Sequence, residues 1–282
     1  MDFTFTPEQE DLRREARSFL EANPSPTMDQ LRELGWVGVL QSDDLSFLDA
    51  AVLFEELGRS LYDGPYVFHE VARQPGEQTW SIEVDGFVPH LEQVDRVLRP
   101  DMTAVAAQGS AVETVDETLR LGVLSPNGAE PADGEWEQVR LRLLAALALE
   151  AVGIGSTAVD LAVAYAKDRE QFGKKIGAYQ AVSHSIVDAY VAVELARSLA
   201  YWAAWCVAEG DDAAPLACAA AKSQAAEAAV DACERSIQAH GGIGFTWEHV
   251  LHRYYKRALW IESALGYGRE HRSEVAASLL SS

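Results

Sequence analysis

The sequence predicts a mainly α-helical fold: a helical N-terminal domain (residues 1–73), a truncated middle β-domain (74–133) and a C-terminal antiparallel four-helix bundle (134–282). Three observations predict it. From Trp136 onward, alanine- and leucine-rich stretches repeat apolar residues at helical spacing with short breaks, the pattern of helices packed antiparallel. Valine-rich alternating runs, which suit strands, begin only at about Gln74 and are few. The first 65 residues show helical spacing with their own start and stop signals.

Thr6-Pro7-Glu8-Gln9 reads as a helix start: Thr6 caps, Pro7 suits the first helical position, and Gln9 completes a capping box. Leu12, Ala16, Phe19 and Leu20 mark its apolar face, and Asn23-Pro24-Ser25-Pro26 breaks it. A short helix ends at Gly35, and a third spans Leu45–Leu57 with Gly58 as its C′ residue. "TWSIEVDGFVPHLEQVDRVLRP" and "ETVDETLRLGVLSP" supply the strands, and Pro126–Glu135 is a turn-rich linker. Bundle helices follow at about Trp136–Asp168, at Ala181–Glu209, up to the Gly241-Gly242 pair, at Glu248–Leu265 and at Arg269–Leu280. Gly153 and Gly155 suggest close helix packing. Val187, Tyr190, Val191, Leu195, Leu199 and Trp202 form one apolar stripe.

The 282 residues carry a net charge of −21, which argues against nucleic acid and anionic membranes as partners. An anionic substrate needs a local basic patch or a partner subunit against that background. The charged N-terminus is no signal peptide. Leu141–Ala166 is apolar but carries Arg142, Glu150 and Asp160, so a buried bundle helix is expected rather than a membrane span. Cys206, Cys218 and Cys233 fit no zinc template and read as small buried side chains in a reducing cytoplasm. No metal site is expected.

Two motifs carry chemistry. "DREQFG" at Asp168–Gly173 breaks a helix that restarts near Gln180. Arg169 offers a planar fork of donors suited to a pyrophosphate, Phe172 a ring that can stack, and Gln180 an amide for a nucleotide edge. "QAHGGIG" at Gln238–Gly244 closes a helix, and its glycines open the backbone to close approach by a phosphate. No strand precedes it, so it is not a Rossmann fingerprint. Taken alone, each motif reads first as a structural turn.

Together, in this order, they resemble the acyl-CoA dehydrogenase family. "FTPEQEDLRREARSFL", "LRELGWVGVL" and "AVLFEELGRSLYDGP" are similar to that family's first helical domain. The resemblance implies FAD as cofactor and 2,3-desaturation of an acyl-CoA. In the family a glutamate removes the α-proton while the β-hydrogen leaves as hydride to the flavin. It further implies that Arg169, Gln171, Phe172, Gln180, Gln238, Gly241 and Gly242 hold the ADP half of FAD across a subunit interface.

Three departures qualify it. The chain is shorter than members usually are, and no Thr-Glu-Pro with a following Gly-Ser-Asp loop for the flavin ring occurs between Val67 and Asp133. The family's two positions for the base fall on Leu265 and Leu143, and leucine accepts no proton. The helices and strands that build the acyl cavity are shortened. This pattern is similar to the degenerate subunit of actinobacterial α2β2 acyl-CoA dehydrogenases of steroid side-chain degradation. The expectation is a cytoplasmic, non-catalytic subunit of a flavoenzyme, with a full-length partner chain that carries the glutamate and most of the acyl-CoA site. Two alternatives stay open: a self-sufficient homo-oligomer with Glu248 or Glu262 as a shifted base, and a scaffold without FAD. His184 and His240 read as packing or capping residues.

Overall fold

The computed structural model describes residues 5–42, 44–125 and 128–281. Four helices come first: α1 (Pro7–Ala22), α2 (Met28–Glu33), α3 (Phe47–Ser60) and α4 (Tyr66–Ala72). The capping box at α1 forms: Thr6 accepts from the Gln9 backbone and Gln9 answers. The Leu45–Leu57 expectation is corrected at its end. Gly58 lies inside α3, and the left-handed cap is Leu61, at φ 53°. Gly58 is glycine because a Cβ there would overlap the Glu150 carbonyl of the next layer, and Gly153 faces the Glu55 carbonyl in the same way.

Seven short strands follow: β1 (Trp80–Ile82), β2 (Val88–Pro89), β3 (Arg96–Leu98), β4 (Thr103–Ala106), β5 (Gly109–Ala111), β6 (Leu121–Leu124) and β7 (Ala129–Pro131). They make one sheet of order β1-β3-β4-β7, in which β1 and β3 run parallel, and a second of order β2-β6-β5. The expected linker at 126–135 is therefore partly a strand: β7 pairs Val105 with Ala129 on the sheet edge. Pro126 and Asn127 lie outside the described residues.

The bundle comprises α5 (Trp136–Asp168), α6 (Gln180–Glu209), α7 (Ala214–His240), α8 (Leu251–Ser263) and α9 (Gly268–Ser281), with a hairpin of β8 (Glu170–Gln171) and β9 (Lys174–Lys175) between α5 and α6. Every residue from Leu143 to Ser156 is buried, so α5 is apolar all round and not on one stripe. It packs against α3, α6, α7 and α8. Both α5 and α6 have the length and apolarity of a membrane span, but 78% of the α5 window is buried within this fold.

The apolar stripe of α6 faces outward. Val187, Tyr190, Val191 and Leu195 are 48–60% exposed, while Ala189, Ala196, Ala200 and Ala203 with Ile186 and Val193 face inward. Close approach decides this: a Cβ at Gly155 of α5 would already sit 2.8 Å from Val193, so the inner face takes small side chains.

One buried ion cluster ties the sheets to the bundle. Arg257 of α8 donates to Glu150 of α5 at 2.6 Å, to Asp116 at 3.0 Å and to the Thr118 hydroxyl at 2.8 Å. Burial pushes the Glu150 carboxyl up, and the Arg257 charge opposes it. Charges this deep persist only when paired and hydrogen-bonded.

Candidate functional site

The first motif is a rigid hairpin. Arg169 caps α5, with its N–H donating to the Tyr165 carbonyl and its backbone turned to the extended region. The β8–β9 turn places Phe172 at φ 53° and Gly173 at φ 81°, the paired left-handed residues of a tight hairpin. A bulky residue there costs on the order of 1–2 kcal/mol, yet the Phe172 ring is 93% exposed and gains little packing. The hairpin holds itself: Tyr179 donates to the Gln171 carbonyl at 3.2 Å, Lys174 lies 4.1 Å from the Tyr179 ring centre, and Lys175 reaches the Asp168 carbonyl at 2.7 Å. The Arg169 guanidinium is exposed and has no ion-pair or hydrogen-bond partner among the described residues. Gln180, the first residue of α6, and Gln238 are also exposed. The Gln171 side-chain amide donates to the Glu170 carbonyl.

The second motif ends α7. Gly241 has φ 64° and ψ −139°, a conformation that only glycine adopts freely. A Cβ at Gly241 or Gly242 would meet nothing within 4 Å, whereas one at Gly244 would sit 2.5 Å from the Ile237 carbonyl. Internal packing thus accounts for Gly244. At Gly242, with ordinary φ, neither conformation nor packing against the described residues requires glycine.

The antiparallel bundle brings the motifs to one end. Arg169 leaves α5, Gln180 starts α6 and Gly241 leaves α7 there, and the rings of Tyr165 and His240 stack across α5 and α7 at 4.3 Å. The Nδ1 of His240 bonds to the Ser236 carbonyl at 2.7 Å; this histidine is buried packing, as expected. His184 is not packed: it is exposed on α6. Lys167, Arg169, Lys174 and Lys175 against Asp168 and Glu170 make the hairpin region basic in a chain of net charge −21. Free guanidinium and amide donors, open glycine backbone and local positive charge fit the pyrophosphate half of FAD. Among the described residues, no group of three His, Cys, Asp or Glu side chains could hold a metal ion.

The positions where the resemblance places a base differ sharply. Leu143 is fully buried in α5. Leu265 follows α8 at φ 58°, and its N–H donates to Asp85 at 2.9 Å. Glu248 is exposed and Glu262 half-buried. Beside Glu262, Lys222 of α7 is wholly buried, and among the described residues its ammonium has no hydrogen-bond partner. Burial lowers it to about 8, against the pull of Glu262 and Asp85. Sequence reasoning missed Tyr165, Lys174, Lys175 and Lys222. The lysine pair beside the motif was a visible signal, but the ring stack and the buried lysine had none.

Residues 142–280 match the family model for the acyl-CoA dehydrogenase C-terminal domain. Acyl-CoA dehydrogenase IpdE2 of Mycolicibacterium smegmatis is 32% identical over 253 residues, spanning 82% of this chain and 78% of that one. Acyl-CoA dehydrogenase FadE34 of Mycobacterium tuberculosis is 43% identical across 86% of this chain but 40% of its own length. In fold, a chain of the ChsE4-ChsE5 complex from Mycobacterium tuberculosis matches with a TM-score of 0.85 at 22% identity, covering 100% of both chains. A chain of the Tcur3481-Tcur3483 steroid ACAD matches with a TM-score of 0.84 at 22% identity, over 97% of this chain and 98% of that one.

Proposed function

Because this chain belongs to the acyl-CoA dehydrogenase family, an FAD-dependent oxidoreductase family, we propose that it is the non-catalytic subunit of an α2β2 enzyme. In this reading Arg169, Gln171, Phe172, Gln180, Gln238, Gly241 and Gly242 hold the ADP half of an FAD shared with a full-length partner chain. FAD, when bound, accepts the hydride from the acyl β-carbon. The partner supplies the glutamate that takes the α-proton and most of the acyl-CoA site. The proposed setting is the cytoplasm, and the proposed substrate class is a steroid side-chain CoA thioester. What supports that class is the likeness to chains of two-protein complexes, one of them a steroid ACAD.

The observation that carries the reading is the contrast within one chain: ADP-end donors without internal partners, and leucine at both base positions. Arg169 positions the pyrophosphate as a bidentate donor, and the Gly241-Gly242 turn lets it approach the backbone.

Co-expression with an adjacently encoded acyl-CoA dehydrogenase is the test. A stable yellow complex is expected, and Arg169→Ala should lower its flavin content severalfold with both chains still associated. Unchanged flavin in that variant would favour a scaffold without a cofactor role. Purified chain that binds FAD alone and reduces an electron acceptor with an acyl-CoA would favour the self-sufficient enzyme, with Glu248 or Glu262 as base.

A further inference from the structure

The loop after α7 closes on itself. The His249 ring returns to 4.4 Å from that of His240, and the N–H groups of Thr246 and His249 bond back to the carbonyls of Ile243 and Thr246. This short loop carries Gly241 and Gly242 on one limb and Trp247 on the other. Trp247 is 74% exposed; the other six tryptophans are buried or half-buried. It is nevertheless held in place. The Lys256 ammonium sits 3.9 Å from the centre of its ring, and the His252 ring meets it edge-on at 4.8 Å.

An indole pinned on one face by a cation and left to water on the other is a preorganised stacking platform. Leaving that apolar face in water is unfavourable, and the described residues leave it largely uncovered. Lys256 supplies the positive charge beside it, while Arg253, one turn before Arg257, lies 3.9 Å from the Glu117 carboxylate.

We propose that Trp247 stacks on the purine of the nucleotide whose phosphates are received by the Arg169 hairpin and the Gly241-Gly242 turn. This inference rests on the ADP-holding role proposed above and adds a residue to it. A planar π-ring is the ligand chemistry that fits: stacking on an indole needs no particular hydrogen-bond pattern and draws on area and polarisability alone.

The test titrates the full chain with ADP into the millimolar range, reading indole emission and, independently, ADP bound by equilibrium dialysis. Wild type should show a saturable quench. Trp247→Phe should lose the quench and keep part of the affinity. Trp247→Ala should bind ADP about tenfold more weakly, with unchanged far-ultraviolet circular dichroism, since the side chain is exposed. No saturable quench in wild type, or equal ADP affinity in wild type and Trp247→Ala, overturns the inference. A Trp247→Ala chain that binds ADP normally but fails to associate with the flavin-bearing partner also overturns it, by making the indole a protein contact. The ADP-holding role fails separately, when flavin content of the co-expressed complex is indifferent to Arg169→Ala.

Discussion

Arg257 and Arg169 occupy opposite situations. Arg257 is buried and has three partners: Glu150, Asp116 and Thr118. Arg169 is exposed at the end of α5 and has none among the described residues. The glycines divide the same way. Gly58 and Gly153 sit where a Cβ would overlap a neighbouring carbonyl, while Gly241 and Gly242 face open space. Residues whose demands are met inside the chain build the fold. The residues proposed to hold the nucleotide are among those whose demands the described residues leave unmet.

The sharpest way to break this division is to remove each arginine. Arg257→Ala leaves two buried carboxylates without their cation, and should cost about 3–5 kcal/mol of stability in chemical denaturation. Arg169→Ala should change stability by less than about 0.5 kcal/mol, with its effect confined to flavin content. Equal losses in the two variants would erase the contrast.

Lys222 is an interior charge without a hydrogen-bond partner among the described residues, and it tests the contrast from the other side. Its pKa is lowered to about 8 in the fold from 10.5. Between those values the unfolded chain binds more protons than the folded one, so this group makes stability rise with pH there. Below pH 8 its burial costs on the order of 3 kcal/mol. Lys222→Met should raise stability at pH 7 and flatten the wild-type rise between about pH 8 and 10.5, as measured by denaturant midpoints across pH. An unaltered pH profile would show that the ammonium is solvated.

Gly153→Ala forces a methyl against the Glu55 carbonyl and should destabilise by about 1–3 kcal/mol. Gly242→Ala should leave the melting temperature nearly unchanged and lower the flavin content of the complex. Phe172→Gly should also move stability little. Relief of the left-handed backbone and added freedom of the unfolded chain nearly offset, so stability should shift by less than about 1 kcal/mol. A loss well above that would mean the ring packs within the chain.

Much of the fold was legible because its causes are local. Helical spacing, the Thr6–Gln9 capping box and the glycine breaks act through neighbours in sequence, and they located all the long helices. The leucines at 143 and 265 were also legible, once the resemblance supplied the positions to inspect. The α6 stripe was legible as a stripe but not in its direction. Periodicity shows that Val187, Tyr190, Val191 and Leu195 share a face, and says nothing about which face meets α5 and α7.

By itself, then, the sequence determined the helical classes and the two motifs, since backbone propensity and side-chain chemistry are properties of residues in place. Only the tertiary structure decided that Gly58 serves contact rather than termination, that Arg257 is enclosed and Arg169 open, and that both motifs stand at one end of the bundle. Those outcomes depend on partners far away in the chain: Glu150 for Gly58, Asp116 for Arg257, and the Tyr165–His240 stack for the motifs. Burial and pairing are set by the packing of whole helices, which no local window contains.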